Sequence, residues 1–184
     1  MLARIASSNL GTVSPEMTIT SPGYPPQVGV ALAAGPDEYL AVFDEDHGAS
    51  GYQVWARRIR GDATMDSFIN LNPTGVSRME AAAAFGGGGH YLVALRRGTA
   101  SNWDIHGQFI RTLPDAPLDP LEGAEFGIHD VTGYHQRVPD VACSPSGPCL
   151  VVNEEIQSGW VGVYNLWGRL VLRHGVFLPI VLRQ

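Results

Sequence analysis

The residues best suited to chemistry begin with an acidic stretch, Asp44-Glu45-Asp46-His47-Gly48, which follows a short apolar run and opens a loop. Carboxylates at alternate positions offer the hard oxygen ligands that Ca²⁺ prefers. The acid that closes a complete calcium loop is missing, so we interpret the stretch as a solvated loop and keep calcium binding as the alternative. The sequence therefore predicts no metal here.

The histidines and glycines form no other motif for a metal or a cofactor. None of the six histidines has the His-x-x-x-His spacing typical of zinc sites, and a metal between His129 and His135 is only a minor alternative. The run Gly86 to Gly89 lacks the Lys-Ser/Thr and the helix of a phosphate-binding loop, so it predicts a hairpin turn. The chain has no Gly-x-Ser-x-Gly elbow for a nucleophilic serine. We predict no catalytic residue, no metal and no cofactor.

Aromatic and charged residues recur around loops that start with Asp44, with Arg96-Arg97 and with Glu154-Glu155. Aromatic rings beside charges can stack on a sugar or a peptide and hydrogen-bond to it. We predict a ligand-binding face, with ordinary surface loops as the alternative. Its candidate residues are Tyr24, Asp44, Asp46, Tyr52, Arg78, Arg96, Trp103, Tyr134, His135 and Glu154.

The two cysteines, Cys143 and Cys149, flank the turn-forming sequence Ser144-Pro145-Ser146-Gly147-Pro148. Cysteines on either side of a tight hairpin lie opposite one another on neighbouring strands, where their separation suits a disulfide. We therefore predict a Cys143–Cys149 disulfide. Such a bond is typical of an oxidising compartment.

Charge and composition exclude two classes of partner. The chain has 184 residues, a net charge of −6, 45% hydrophobic and 16% charged residues, which indicates about one globular domain. It has no basic stripe to neutralise phosphates, so we predict no binding to nucleic acid. No apolar run reaches the length of about 20 residues that a membrane span needs.

The elements that position these residues are repeated strands. Tyr39-Leu40-Ala41-Val42-Phe43 recurs as Tyr91-Leu92-Val93-Ala94-Leu95 and more loosely as Leu150-Val151-Val152, and each run has the length of a buried strand. Small residues precede each run, and a third strand follows it, at Tyr52–Trp55, Trp103–His106 and Trp160–Tyr164. Units of four strands are typical of a β-propeller blade, with a β-sandwich as the competing interpretation.

We therefore predict an all-β fold of β-propeller-like four-stranded repeats, with about three blades per chain. The predicted repeat domain spans residues 1–172, with blade-closing strands at 1–21 and blades at 25–72, 79–130 and 138–172. Residues 173–184 are predicted to form a tail or an edge strand, because Pro179 cannot donate to a central ladder.

The units resemble a repeat of secreted bacterial β-propeller proteins, loosely Pro-x-Val-Ala, Tyr-Leu-Val-Val-Trp and Asp-Ile-x-Gly-Gln-Arg-Ile. The matching stretches are Pro139-Asp140-Val141-Ala142, Tyr39 to Phe43 and Asp104-Ile105-His106-Gly107-Gln108-Phe109-Ile110, within residues 1–167. The resemblance implies an extracellular or cell-surface protein. The chain departs from it in blade number, because propellers have about 4 to 8 blades. We therefore expect closure by self-assembly, as a dimer or, alternatively, a filament.

Two functions fit these features. The first is a secreted, non-catalytic structural or binding module that acts through self-assembly and recognises carbohydrate or peptide. The alternative is a glycoside-active propeller enzyme with carboxylates at the axis, for which at least two acids must converge from different units.

Overall fold

The structure is a computed structural model that describes residues 2–3, 14–20, 26–71, 75–99, 102–112, 120–157, 164–173 and 178–181. Within these ranges the chain forms fourteen β-strands and one 3₁₀ turn at Gly48–Ser50. The predicted all-β fold is confirmed. None of the helical structure in these ranges has the length and apolar character of a membrane span.

The strands form a four-stranded sheet, an eight-stranded sheet and a short pair. We call the four-stranded sheet sheet I, and we divide the eight-stranded sheet at its parallel bridge into two antiparallel groups of four, called sheets II and III. The pair is β1 (Leu2–Ala3) with β2 (Met17–Thr18). Sheet I contains β3 (Pro26–Ala34), β4 (Glu38–Asp46), β5 (Tyr52–Arg60) and β6 (Ile69–Asn70). Sheet II contains β7 (Arg78–Phe85), β8 (His90–Thr99), β9 (Asn102–Arg111) and β10 (Leu121–His129). Sheet III contains β11 (Tyr134–Cys143), β12 (Cys149–Gln157), β13 (Asn165–Val171) and β14 (Leu178–Val181).

Strand order within each sheet follows the sequence, and a parallel bridge from His135 to Trp103 connects sheet III to sheet II. The ends of the sheets that carry the β4–β5 and β8–β9 connections are called the loop end below. The opposite ends, with the β3–β4, β7–β8 and β11–β12 turns, are called the hairpin end. At the hairpin end Gly87, Gly88 and Gly89 all have positive φ, as the tight turn between β7 and β8 requires.

The second strands of sheets I and II lie in the core because neighbouring sheets cover them. Leu40 and Val42 of β4 pack with Tyr91 and Val93 of sheet II in one apolar cluster. Leu92, on the opposite face of β8, packs in a second cluster, toward sheet III. A strand buried on both faces has no polar side, so its sequence is a continuous apolar run. This explains why the repeated runs show no alternation.

The disulfide between Cys143 and Cys149 is present and joins β11 to β12 directly across the pair. Of the predicted third strand at Trp160–Tyr164, residues 160–163 lie outside the described residues. The strand that pairs with β12 is β13, with Gly168 opposite Val152. The first pair of this ladder joins Glu155 to Asn165, whereas Thr99 pairs with Asn102 in sheet II.

Candidate functional site

The predicted binding residues that the structure describes share the loop end of the three sheets. Strand register places Asp46 opposite Tyr52, and it places His135 beside Trp103. Arg78 and Arg96 lie at the same end of β7 and β8, and Tyr134 and Glu154 lie at that end of sheet III. Tyr24 lies outside the described residues. The boundaries of the predicted blades stay predictions.

Asp44 serves as a link between sheets. Its side chain is 1% exposed, and its Oδ1 and Oδ2 accept hydrogen bonds from the backbone N–H groups of Gly29 (2.8 Å) and Glu80 (3.2 Å). Glu80 repeats the arrangement by accepting a bond from Val138 N at 2.9 Å. The strands β3, β7 and β11 are irregular at these positions, which leaves their N–H groups to be satisfied by side chains. These two carboxylates therefore stabilise the loop end.

The calcium alternative gains no support from this geometry, because backbone donors already occupy Asp44 and because Asp46 accepts a bond from Gly48 N at 2.8 Å. Among the described residues, no group of three or more His, Cys, Asp or Glu side chains is arranged to hold a metal ion.

Arg96, Trp103 and Glu80 form a second connected group. The Arg96 guanidinium lies over the Trp103 ring at 4.3 Å from its centroid, and its Nη1 donates to Glu80 Oε1 at 3.0 Å. The structure thus brings together three side chains from β7, β8 and β9. On sheet III, Glu154 pairs instead with Arg137 at 3.5 Å, and Arg137 lies 5.8 Å from the Tyr164 ring.

Arg78 is buried at 1% exposure, so it does not offer its charge to a ligand. Its Nε and Nη2 donate to Glu125 Oε2 at 2.9 and 2.8 Å. The other oxygen of Glu125 lies 2.9 Å from Arg97 Nη1 and 3.1 Å from His106 Nδ1. Burial opposes ionisation of Glu125, but hydrogen bonds from His106 and Arg78 outweigh it and hold its pKa below the usual value. Glu125 was not among the residues predicted from the sequence.

A polar cavity of about 330 Å³ opens beside this network at the loop end of sheet II. Its shape depends on Gly98, which has a φ of 155°, and a Cβ there would collide with the Asn102 carbonyl. The cavity is lined by Val76, Arg97, Gly98, Thr99, Asn102, Asp104, His106 and Asp130.

Asp104 is the acid in this cavity whose environment favours a proton. Burial raises its pKa, and the charge of Asp130 raises it further. Asn102 Nδ2 donates to its Oδ2 at 3.0 Å, and the Gln136 amide, oriented with its nitrogen toward Asp104, donates to Oδ1 at 2.9 Å. Asp130 itself is exposed. Two neighbouring carboxyl groups in different environments are the arrangement that lets one act as an acid and the other as a base.

Sequence reasoning missed Asp104 and Asp130 as site residues. They meet because β10 pairs with β9 so that His129 lies opposite Ile105, after a register shift between Gly127 and His129. Among 18 acidic residues, nothing in the sequence marks these two.

No protein-family model and no curated protein sequence matches the chain. One similar solved structure is an endo-arabinase from Bacteroides thetaiotaomicron, with a TM-score of 0.60 and 12% sequence identity over 94% of this chain and 69% of the other. At this identity the likeness shows the fold alone. The prediction of a non-catalytic structural or binding module is contradicted by this comparison, because the neighbour that shares the fold is a glycoside hydrolase.

Proposed function

We propose that the protein is a glycoside-active enzyme and that the cavity around Asp104 is its active site. The observation that carries the proposal is a partly buried carboxyl group with a raised pKa beside a second, exposed carboxylate in an open polar cavity. Glycoside hydrolysis uses two such carboxyl groups. The similarity of fold to an endo-arabinase supports this reaction class.

In the proposed reaction, protonated Asp104 donates its proton to the glycosidic oxygen as the bond from that oxygen to the sugar carbon breaks. Asp130 accepts a proton from water, whose hydroxyl group forms the new bond to the sugar carbon. The side chains of Asn102, Arg97 and His106 line the same cavity and supply hydrogen bonds for sugar hydroxyls. Both proposed acids come from one unit, on β9 and directly after β10, and not from different units as the sequence analysis expected. The acids that link the sheets, Asp44 and Glu80, are already bonded to backbone N–H groups.

The test is a panel of chromogenic glycosides and neutral polysaccharides, including arabinan. We expect measurable turnover of at least one substrate, and we expect Asp104→Asn and Asp130→Asn each to reduce kcat by about 10²-fold or more. Asp37→Asn is the control, because Asp37 is an exposed acid at the opposite end of sheet I. Turnover that survives Asp104→Asn would place the chemistry elsewhere, and no turnover of any substrate would remove the proposal.

We also propose that the protein works outside the cell or at its surface. The Cys143–Cys149 disulfide supports this location, because such bonds persist in oxidising compartments and are rare in the cytosol. A carbohydrate ligand is favoured over a peptide, since the candidate site is a polar cavity. Cell fractionation with detection of the chain in the extracellular or surface fraction is the direct check.

We also propose that each chain contains about three blades and associates with copies of itself. Leu40 and Leu92 are 0% exposed because the following sheet covers them, whereas Leu150, at the corresponding position of sheet III, is 39% exposed. Leu166 and Tyr164 extend this apolar surface on β13 and the residue before it. A second copy of the chain is the proposed cover for this face.

A further inference from the structure

A second cavity, of about 420 Å³, lies at the hairpin end between sheets II and III, at the opposite end from the proposed active site. Its volume falls in the range of about 300 to 1,000 Å³ that is typical of small-molecule sites. Most of its lining is apolar, including Phe109, Leu172, Pro145 and Pro148, with Arg173, His90 and Ser146 as polar members. Such a lining fits a ligand with an apolar face and a few hydrogen-bonding groups.

The walls of this cavity are fixed before any ligand arrives. The disulfide locks the turn from Ser144 to Pro148, and a Cβ at Gly86 would lie 3.3 Å from Cys149 Sγ. The next residue, Gly87, has a φ of 72°, and a Cβ there would collide with the Pro145 carbonyl. The two hairpins therefore touch backbone to backbone. A cavity held in this way binds without a large ordering cost.

Phe109 supplies a flat surface whose orientation is also fixed. Its ring stacks on Phe126, with centroids 5.5 Å apart and an angle of 29° between the planes. The face of a phenyl ring packs well against the C–H groups of a sugar, because both surfaces are apolar.

The polar rim contains Arg173 and His90, and both of these side chains pair with Glu122 behind them. Glu122 Oε1 accepts from Arg173 Nη2 at 3.0 Å and from Nε at 3.3 Å, and Glu122 Oε2 lies 2.5 Å from His90 Nε2. Burial lowers the pKa of His90, against the opposing effect of Glu122, which favours the neutral ring. The charges of Arg173 and Glu122 cancel. The rim thus offers donors and acceptors without a net charge, which suits hydroxyl groups and disfavours an anionic ligand.

We propose that this cavity is a second carbohydrate site, which binds a neutral sugar ring with its C–H face on Phe109 and its hydroxyl groups at Arg173 and Ser146. It takes part in no bond cleavage, and it holds a glycan at a distance from the cavity around Asp104. The choice of a neutral glycan rests on the proposed function, whereas the existence of a small-molecule site rests on the cavity alone.

The experiment is an NMR titration of the full chain carrying Asp104→Asn, which the proposed function makes inactive, so that the probe is not consumed. The probes are arabinotriose, cellotriose and an acidic trisaccharide of galacturonic acid. We expect a neutral trisaccharide to shift amide signals of Gly86–Gly89 and Ser144–Cys149, with little response to the acidic probe. Signals that shift only at Asn102–Asp104 and Asp130, or no shift with any probe, would overturn the proposal.

Two variants test the residues, each in the same Asp104→Asn background. Arg173→Gln is expected to weaken binding about ten-fold, equivalent to about 1.4 kcal/mol. Arg60→Gln is the matched control, because the Arg60 and Arg173 side chains are both 40% exposed and both are paired with an acid. Equal affinities for the two variants would contradict the proposal. Binding at the hairpin end without hydrolysis by the unmodified protein would support this site and would overturn only the proposed function. Hydrolysis without binding at the hairpin end would support the proposed function and would overturn this site.

Discussion

Three carboxyl groups at the loop end differ because their partners differ. Asp44 accepts bonds from backbone N–H groups, and Glu125 is held among Arg78, Arg97 and His106. Asp104 has amide donors and the charge of Asp130 instead, and burial raises its pKa. The surroundings of each carboxyl group, which the sequence does not display, separate two structural acids from the proposed catalytic one.

The stability of Asp104→Asn is expected to rise relative to the unmodified protein as pH increases, while the substitution removes turnover. Because the pKa of Asp104 is raised by folding, the unfolded chain releases this proton at lower pH, and the native state loses stability as pH rises through the folded pKa. Asparagine has no proton to release, so its advantage should vanish near the unfolded value of about 3.9. Thermal melts from pH 3 to pH 8 measure the difference. A stability difference that does not change with pH would contradict the argument.

The raised pKa of Asp104 also determines where kcat/KM falls as the pH rises. A general acid works only while protonated, so kcat/KM should fall as pH rises through the pKa of Asp104. The pH profile on any substrate found in the panel measures this limb. Activity that shows no fall with rising pH would remove Asp104 as the acid.

Glu125→Ala is expected to destabilise the fold by about 3 kcal/mol, because it leaves the buried Arg78 without its counter-charge. The control is Glu154→Ala at the Arg137 pair, where both side chains are 42% exposed and the expected loss is below about 1 kcal/mol. Urea unfolding of the two variants measures both values. Similar losses in the two would show that Arg78 does not depend on Glu125.

At the scale of strands, small residues decide how closely neighbouring sheets approach. Ala82 on β7 is buried in the cluster between sheets II and III, whereas Ala142 on β11 is exposed. Ala82→Leu is expected to cost about 1 to 3 kcal/mol by overpacking. Ala142→Leu is expected to change stability by less than about 0.5 kcal/mol. The midpoints of urea unfolding compare the two, and an equal loss in both would mean that β7 is not packed between sheets.

The buried strands could be predicted from the repeated apolar runs, because a strand that is buried on both faces consists almost entirely of apolar residues. The hairpin cysteines predicted their disulfide for a similar local reason. No sequence pattern marks the candidate site, because Asp104 and Asp130 are brought together by the pairing of β9 with β10 and by a shift of register. The pairing of β13 with β12 was not predicted, because the repeat does not specify the length of the connection between them.

At the scale of the whole molecule, the described sheets expose apolar side chains at both ends of the series. Leu150 and Leu166 lie on the outer face of sheet III, and Val30 and Leu32 lie on β3 of sheet I. Within the series, the corresponding faces are covered by the next sheet. A series of sheets whose outer faces are uncovered presents surfaces of this kind, and a second copy can cover them with two-fold symmetry.

Self-association is therefore expected at micromolar concentration, as a dimer or, if the contacts do not close, as a filament. Leu166→Glu should shift the species toward a monomer of 19.8 kDa, because a charge placed on a 45% exposed leucine would be buried on association. Val131→Glu, on a 38% exposed valine in the β10–β11 loop, is the control and should leave the mass unchanged. Light scattering coupled to size-exclusion chromatography measures all three proteins. An unmodified chain that remains at 19.8 kDa throughout the micromolar range would show that the outer face of sheet III is not a contact between copies.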